Sequence, residues 1–256
     1  PKMDEGAAPI NLNFSILQDY FDCAYRFKLS MFYGFVQPIA AAMGYGNAVH
    51  NIVRNIHKKY LDGENLTRED VQAIVEDTFY LPYANSKMEH NMLESAKKSV
   101  DMYFEKNKAD FKNIEMAEAD IELDMGDGVK VNGRIDLVKH REISGEEKIT
   151  IVDFKTADRD VTQCLEAEQL KIYALGYQEL TGKSADYLEI LNLDKVESER
   201  VRVTEGLTET VAKDIRNAAQ NIRENKLDRK CSKEKCSACY LNYLCLSKEE
   251  KKTYVE

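Results

Sequence analysis

The sequence predicts an α/β fold with a helical insertion near its start, and three observations carry that reading. Two stretches, 115–124 and 129–138, flank Gly126-Asp127-Gly128, residue types that close a β-hairpin. The β-branched run Ile149-Thr150-Ile151-Val152-Asp153-Phe154 reads as a buried strand, and a helical stretch over about 161–180 follows it and stops at Gly182. Val49, Ile52, Val53, Ile56 and Tyr60 recur at i, i+3, i+4, i+7 spacing, the apolar stripe of a helix that faces a core.

The elements follow in order. Residues 1–11 read as a loose arm. From Asn13 to about Phe35 the chain is apolar and aromatic, with Asn13 or Ser15 as a helix cap and Cys23 inside that helix or at its end. Small residues from Ala40 to Gly46 lead into the striped helix over 47–60, which Asp62-Gly63 stops. Thr67 followed by Asp70 caps a helix over 68–79, Pro82 breaks it, and a third helix spans about 86–107. After the hairpin, residues 140–148 read as a charged loop. Strands over 187–193 and 200–203 and a polar amphipathic helix over 208–225 complete the pattern. Residues 1–256 are read as a single domain: a helical part over 12–110, an α/β core over 111–225, and a cysteine cluster with a charged tail over 226–256.

Composition narrows the class. Among 256 residues, 43% are hydrophobic and 32% charged, which excludes collagen-like and largely disordered chains. No stretch of about 18 apolar residues could span a membrane, and no basic-plus-apolar leader opens the chain, so a cytoplasmic protein without a membrane partner is expected. Pro1 in place of Met points to a piece excised from a longer polypeptide or to a processed chain. Lys and Arg number 36 against 45 Asp and Glu, a net charge of −9, which argues against a basic coat for nucleic acid. An acidic protein can still act on a polyanion where divalent ions stand between carboxylate and phosphate. Of the six cysteines, Cys231, Cys236, Cys239 and Cys245 fall within fifteen residues, which suggests metal ligation in a reducing compartment. Cys164, inside the 161–180 helix, reads as core.

Two constellations carry chemistry. Asp136 sits in Gly133-Arg134-Ile135-Asp136-Leu137, and Asp153 and Lys155 sit two apart at the end of the next strand. Residues two apart on a strand point to one face, so Asp153 and Lys155 can share a site, which Asp136 joins if the strands are neighbours. Carboxylates hold Mg²⁺ or Mn²⁺, and such an ion acidifies water and neutralises phosphate charge. A lysine orients the attacking group or offsets transition-state charge. Taken alone, an Asp-x-Lys triplet is commonly a solvated surface pair. His50, at the edge of the apolar stripe, can face a neighbouring cleft; His57 reads as surface, and His90 and His140 have no suggestive context. Cys236-x2-Cys239-x5-Cys245 supplies three thiolates, with a fourth from Cys231 nearby or Cys23 far upstream. Four thiolates suit zinc or an iron–sulfur cluster, and spacing does not separate the two.

In their order along the chain, these segments resemble the PD-(D/E)XK nucleases of the RecB type, in particular the iron–sulfur subgroup. That subgroup includes the AddB nuclease domain, nuclease domains fused to UvrD-like helicases, and CRISPR spacer-acquisition nucleases. Phe14 to Phe27, with Cys23, looks like the opening motif that carries the first cluster cysteine, although Ala24 stands where the family often has proline. Gly46-Asn47-Ala48-Val49-His50 looks like the Gly-x-x-x-His motif, Gly133 to Asp136 like the first aspartate strand, and Asp153-Phe154-Lys155-Thr156 like the catalytic Asp-x-Lys strand. Gln169-Leu170-Lys171-Ile172-Tyr173 looks like the downstream Gln-x-x-x-Tyr motif, and Cys236, Cys239 and Cys245 like the terminal trio.

The resemblance implies a restriction-endonuclease-like core, a mixed central sheet flanked by helices, with a cysteine-ligated cluster joining the N- and C-terminal segments. It implies metal-dependent hydrolysis of DNA, single-stranded or at duplex ends. His50, Asp136, Asp153 and the Phe154 carbonyl would be metal ligands, Lys155 would assist the attack, and Gln169 and Tyr173 would position the site. Glu118 or Glu122 could add a further carboxylate. A [4Fe–4S] cluster would be held by Cys23, Cys236, Cys239 and Cys245, leaving Cys231 spare. The implied setting is an exonuclease domain of a helicase–nuclease in DNA repair or recombination, with a motor fused or separate. A free-standing CRISPR-type nuclease, a noncatalytic DNA-binding module of the same fold, and a zinc-bearing structural domain are the alternatives.

Overall fold

Strand β1 (Ile10–Asn13) is the first element among the described residues, so the end of the expected loose arm is a strand. Its pairing is long-range, parallel to the far downstream Val129–Asn132, which no local pattern announces. The computed structural model describes residues 9–36, 41–156 and 168–255. The chain forms two compact units interleaved in sequence: the first comprises Pro1–Pro38, Glu122–Gly133 and Thr208–Glu256, the second Ile39–Ile121 and Arg134–Leu207.

In the first unit, the Asn13 side chain accepts from the Ile16 N–H at 2.8 Å and starts helix α1 (Phe14–Asp22). The aromatic stretch is two helices, not one. Cys23 is extended (φ −161°, ψ 106°) and separates α1 from α2 (Ala24–Met31). Phe14, Leu17 and Tyr20 are buried on α1. The Phe14 ring lies where a Cβ on Gly133 would be, 2.0 Å from its nearest atom, so this glycine is required by packing.

The second unit holds the three expected helices, α3 (Ala41–Leu61), α4 (Arg68–Thr78) and α5 (Ser86–Asn107). Thr67 and Asp70 form the reciprocal capping box at the start of α4. A short 3-10 turn (Lys108–Asn113) follows α5. Strands β2 (Ile114–Asp124) and β3 (Val129–Ile143) pair across the Gly126–Gly128 turn, and each runs through both units. β4 (Glu146–Lys155) pairs antiparallel with β3 from Leu137↔Val152 to Ile143↔Glu146.

The expected charged loop over 140–148 is therefore a tight hairpin, turning at Ser144-Gly145, both with positive φ. Its charged side chains find partners on neighbouring strands and within the hairpin. Arg141 pairs with Glu189 at 2.9 Å, and His140 contacts Glu115 at 2.9 Å and Glu147 at 3.4 Å. Lys139, also buried, reaches Asp110 at 2.8 Å.

Helix α6 (Glu168–Thr181) leads to β5 (Tyr187–Asn192), parallel to β4, and β6 (Glu197–Arg202) pairs antiparallel with β5. The strand order β3-β4-β5-β6 makes a mixed sheet. Cys164 and the expected first turns of the 161–180 helix lie outside the described residues. The stripe of α3, Val49, Ile52, Val53 and Ile56, packs with Val71 and Val75 of α4, Val100, Tyr103 and Phe104 of α5, and Leu137, Val152 and Phe154 of the sheet. His57 belongs to this core. It is 0% exposed, and the expected surface position is corrected.

The first unit closes with α7 (Leu207–Arg223), whose Val211, Ala212, Ile215, Ala218 and Ala219 form one buried face. Short helices α8 (Lys233–Ser237), α9 (Asn242–Cys245) and α10 (Lys248–Tyr254) complete the chain. No helix among the described residues is long and apolar enough to cross a membrane.

Candidate functional site

The register of β3 and β4 builds the centre of the second unit. Leu137 pairs with Val152, so Asp136 and Asp153 stand opposite each other one step further on. Facing residues of an antiparallel pair project to the same side. The Phe154 N–H donates to the Asp136 carboxylate at 2.8 Å. Two residues past Asp153, Lys155 returns to the same face, and its Nζ reaches the Asp153 carboxylate at 2.6 Å. Asp153 is only 2% exposed, a burial that a carboxylate tolerates when paired.

The helix after the sheet continues the chain of contacts. Gln169 Oε1 lies 3.5 Å from Lys155 Nζ, at the outer limit of a hydrogen bond, and Gln169 Nε2 donates to the Tyr173 hydroxyl at 2.6 Å. The i, i+4 spacing puts Gln169 and Tyr173 on one face of α6. His50 arrives from α3, with Nδ1 3.9 Å from Asp136 and its ring edge-on to the Phe154 ring at a centroid distance of 6.2 Å. Gly46 permits this approach: a Cβ there would stand 2.6 Å from Thr156 Oγ1. Tyr45 ties the same turn down, its hydroxyl donating to Asp194 at 3.0 Å, where Ser99 also donates at 3.1 Å.

The electrostatics are those of a site short of positive charge. Burial first, then the facing Asp153, pushes the Asp136 carboxyl well above the usual range, against the Phe154 N–H, which favours the charged form. Burial pushes His50 down, outweighing the nearby Asp153. The 3.9 Å contact between His50 and Asp136 is therefore a neutral imidazole beside a carboxyl, not an ion pair. Burial, with Asp136 and Asp153 adding to it, pushes the Tyr173 hydroxyl far up, so it keeps its proton. Two buried carboxyls, a neutral imidazole and a backbone carbonyl are donors that suit a divalent ion. Among the described residues, no group of three or more His, Cys, Asp or Glu side chains is closed to metal-holding geometry.

Of the two further acids, Glu118 and Glu122, it is Glu118 whose charge reaches Asp136 and Tyr173. Glu118 adopts φ 54°, a left-handed conformation rare for a residue with a side chain, and this distorts β2 at that point. Glu122 is exposed and pairs with Lys130. Tyr45 and Asp194 escaped the sequence reading, because the two partners lie 149 residues apart.

A second constellation lies within the first unit. Cys23, Cys231, Cys236, Cys239 and Cys245 line one cavity of about 220 Å³, together with Arg26 and Arg229. All five thiols are free. The C-terminal segment is tied to the end of α1, with Lys230 donating to the Phe21 carbonyl at 3.1 Å and Lys235 to the Asp22 carbonyl at 3.2 Å. Burial raises the Cys245 thiol pKa, Arg229 opposes this, and the neighbouring Cys23 and Cys236 add to the rise. Cys231 is pushed up to about 11 by burial and by the neighbouring Cys236. The donor set, thiols around one small cavity, suits a soft metal or a cluster.

A mixed α/β sheet that presents two acids and a lysine from adjacent strand ends, beside a histidine, defines a class built for phosphodiester chemistry. The sequence model of the PD-(D/E)XK nuclease superfamily matches residues 11–246, and the chain belongs to that superfamily. It is thus a nuclease by class. The fold is similar to that of a solved protein from Eubacterium rectale, provisionally named an exonuclease, with 12% identity over 93% of this chain and 88% of that one and a TM-score of 0.54. A second solved structure, SSO0001, is 18% identical over 87% of this chain and 93% of its own, with a TM-score of 0.37. No curated protein matches the sequence.

Proposed function

We propose that this chain is a divalent-metal-dependent deoxyribonuclease. The observation that supports it most is the convergence of Asp136, Asp153, Lys155 and His50 on one face of the sheet of a PD-(D/E)XK protein. Asp136, Asp153, the His50 ring and the Phe154 carbonyl are the groups that would hold Mg²⁺ or Mn²⁺. When bound, the ion supplies charge neutralisation at the phosphate and acidifies water. The mutual repulsion of Asp136 and Asp153 is what such an ion would relieve.

Lys155 is held on Asp153; in this reading it would face the scissile phosphate and orient the attacking water or offset developing charge. Gln169, between Lys155 and Tyr173, fixes the lysine's direction. Tyr173, which keeps its proton, serves as a neutral hydrogen-bonding group and not as a base.

The finer reading places the chain in the RecB/AddB-type iron–sulfur subgroup. Cys23, Cys236, Cys239 and Cys245 would hold a [4Fe–4S] cluster, closing a loop of more than 200 residues and restricting the unfolded chain. This cluster is structural. Free thiols fit a reducing, cytoplasmic setting. Exonuclease action within a helicase–nuclease in DNA repair follows from the same subgroup. A motor, fused or separate, would deliver the strand to a protein whose net charge of −9 does not gather DNA by bulk attraction.

The test is cleavage of end-labelled single- and double-stranded DNA with Mg²⁺ or Mn²⁺, on protein prepared without oxygen, beside Asp153→Ala. Metal-dependent cutting that disappears in the variant supports the site. Equal cutting by the variant rejects it.

A further inference from the structure

The α3 helix carries more than His50. Arg54 and Lys58 follow at i+4 and i+8, so His50, Arg54 and Lys58 form one line along the helix, about 6 Å apart in rise. The two cations line a separate groove of about 440 Å³, with Glu118, Asp120 and Arg134 of the hairpin strands on its other side. That volume is of the order that holds a small ligand.

The charges of this groove are unequally committed. Arg134 is engaged by Asp120 at 2.7 Å and Glu118 at 3.6 Å. The charge of Asp62, at the groove's far end, acts on Lys59. Among the described residues Arg54 and Lys58 close no ion pair, although the Arg54 charge acts on Glu118 across the groove. The groove also adjoins the carboxylate site, because Glu118 lines it while its charge reaches Asp136 and Tyr173.

We propose that Arg54 and Lys58 hold successive backbone phosphates of the nucleic-acid strand whose reacting bond lies at Asp136 and Asp153. The α3 face that leaves His50 is then the track on which the strand enters or leaves. The proposal rests on the nuclease reading for the position of the reacting bond. Two cations on one helix face, four residues apart and neither closed into an ion pair, match a polyanion with regularly spaced charges. They also provide local positive charge in a chain whose net charge is negative. Phosphate contacts of this kind position the strand without reading its sequence.

The test measures binding of a fluorescein-labelled twelve-residue oligothymidylate in EDTA, at several salt concentrations. The proteins are wild type, Arg54→Ala/Lys58→Ala, and Lys87→Ala/Lys98→Ala, which removes the same charge from exposed positions on α5. The expected result is a Kd weakened about tenfold or more by the first pair alone. The slope of log Kd against log salt should fall by about 1.4, about 0.7 for each phosphate no longer neutralised. An unchanged slope, an equal weakening in the α5 control, or no binding by wild type at low salt overturns the proposal. Cutting with Mg²⁺ or Mn²⁺ is scored separately. Wild type that binds through Arg54 and Lys58 but never cuts rejects the nuclease reading and leaves the track standing.

Discussion

His57 makes the stability of this protein fall in acid in a way that one substitution can isolate. Its ring is 0% exposed, set among the rings of Tyr103, Phe111 and Phe154 at centroid distances of 5.8, 5.1 and 5.8 Å. Nε2 lies 2.8 Å from the Tyr103 hydroxyl, and Nδ1 has no partner among the described residues. The tautomer protonated on Nε2 is therefore favoured, since it leaves only a bare acceptor in the core. Acid would add a proton at Nδ1, which has no acceptor to meet it. Burial, with the nearby Lys139 charge second, pushes the ring down to about 3. The folded pKa lies below the unfolded one, so the stability gained from a neutral ring is complete above about pH 6.5 and is lost as pH falls toward 3. At about 1.4 kcal/mol per unit, that window is worth about 5 kcal/mol in total, and about 2 kcal/mol between pH 7.5 and 5. His57→Gln does not titrate and can still pair with the Tyr103 hydroxyl. Urea unfolding followed by circular dichroism at pH 7.5 and 5 should show that wild type loses about 2 kcal/mol more than the variant. The same loss in both proteins would refute the account.

Other perturbations separate the parts of the site. Asp136→Asn should abolish cutting. In EDTA it should also raise the melting temperature by a few degrees, because a carboxyl whose folded pKa is raised opposes folding above its unfolded pKa. A lower melting temperature would show that the facing carboxyls are not in conflict. Lys155→Ala should slow cutting by about 10²-fold or more while leaving Mn²⁺-induced thermal stabilisation in place, and loss of that stabilisation would make the lysine a structural part of the metal site. Gly46→Ala puts a methyl 2.6 Å from Thr156 Oγ1 and should displace His50, with Gly46→Ala/Thr156→Ala recovering much of the activity. No recovery would mean that the glycine matters for some other reason. Cys23→Ala should remove the visible absorption of a cluster and lower thermal stability, whereas Cys231→Ser should retain both. The reverse pattern would move the fourth ligand to Cys231.

The candidate site was largely legible because its geometry is local. Strand periodicity alone places Asp153 and Lys155 on one face. Gln169 and Tyr173 were singled out by the family resemblance, and their i, i+4 spacing puts them on one helix face, while Gly126-Asp127-Gly128 folds β2 beside β3. Two placements were not local: that β3 and β4 are neighbours, and that His50 of α3 reaches Asp136, which the family resemblance supplied. The charged segment between them was the weak point, because a run of charges next to Ser144-Gly145 reads as a loop whenever the partners are invisible. Those partners, Glu115 and Glu189, lie on other strands.

The same cause accounts for the remaining misses and shows where sequence reading stops. His57 looks polar and lies toward the edge of its stripe, yet the Tyr103 hydroxyl 46 residues away makes its burial tolerable. β1 has only four residues and acquires strand character by pairing with Val129–Asn132. Tyr45 needs Asp194. In each case the residue type is compatible with a bland local reading, and a single distant partner changes its role. Glu118 differs. Its left-handed backbone is a local distortion with no turn residue to signal it, and it carries a carboxylate whose charge reaches Asp136. Strain that no local sequence preference explains is held in place by its surroundings, and such strain gathers where geometry matters to function. That is the reason to place Glu118, not Glu122, between the proposed metal-binding acids Asp136 and Asp153 and the proposed Arg54–Lys58 track.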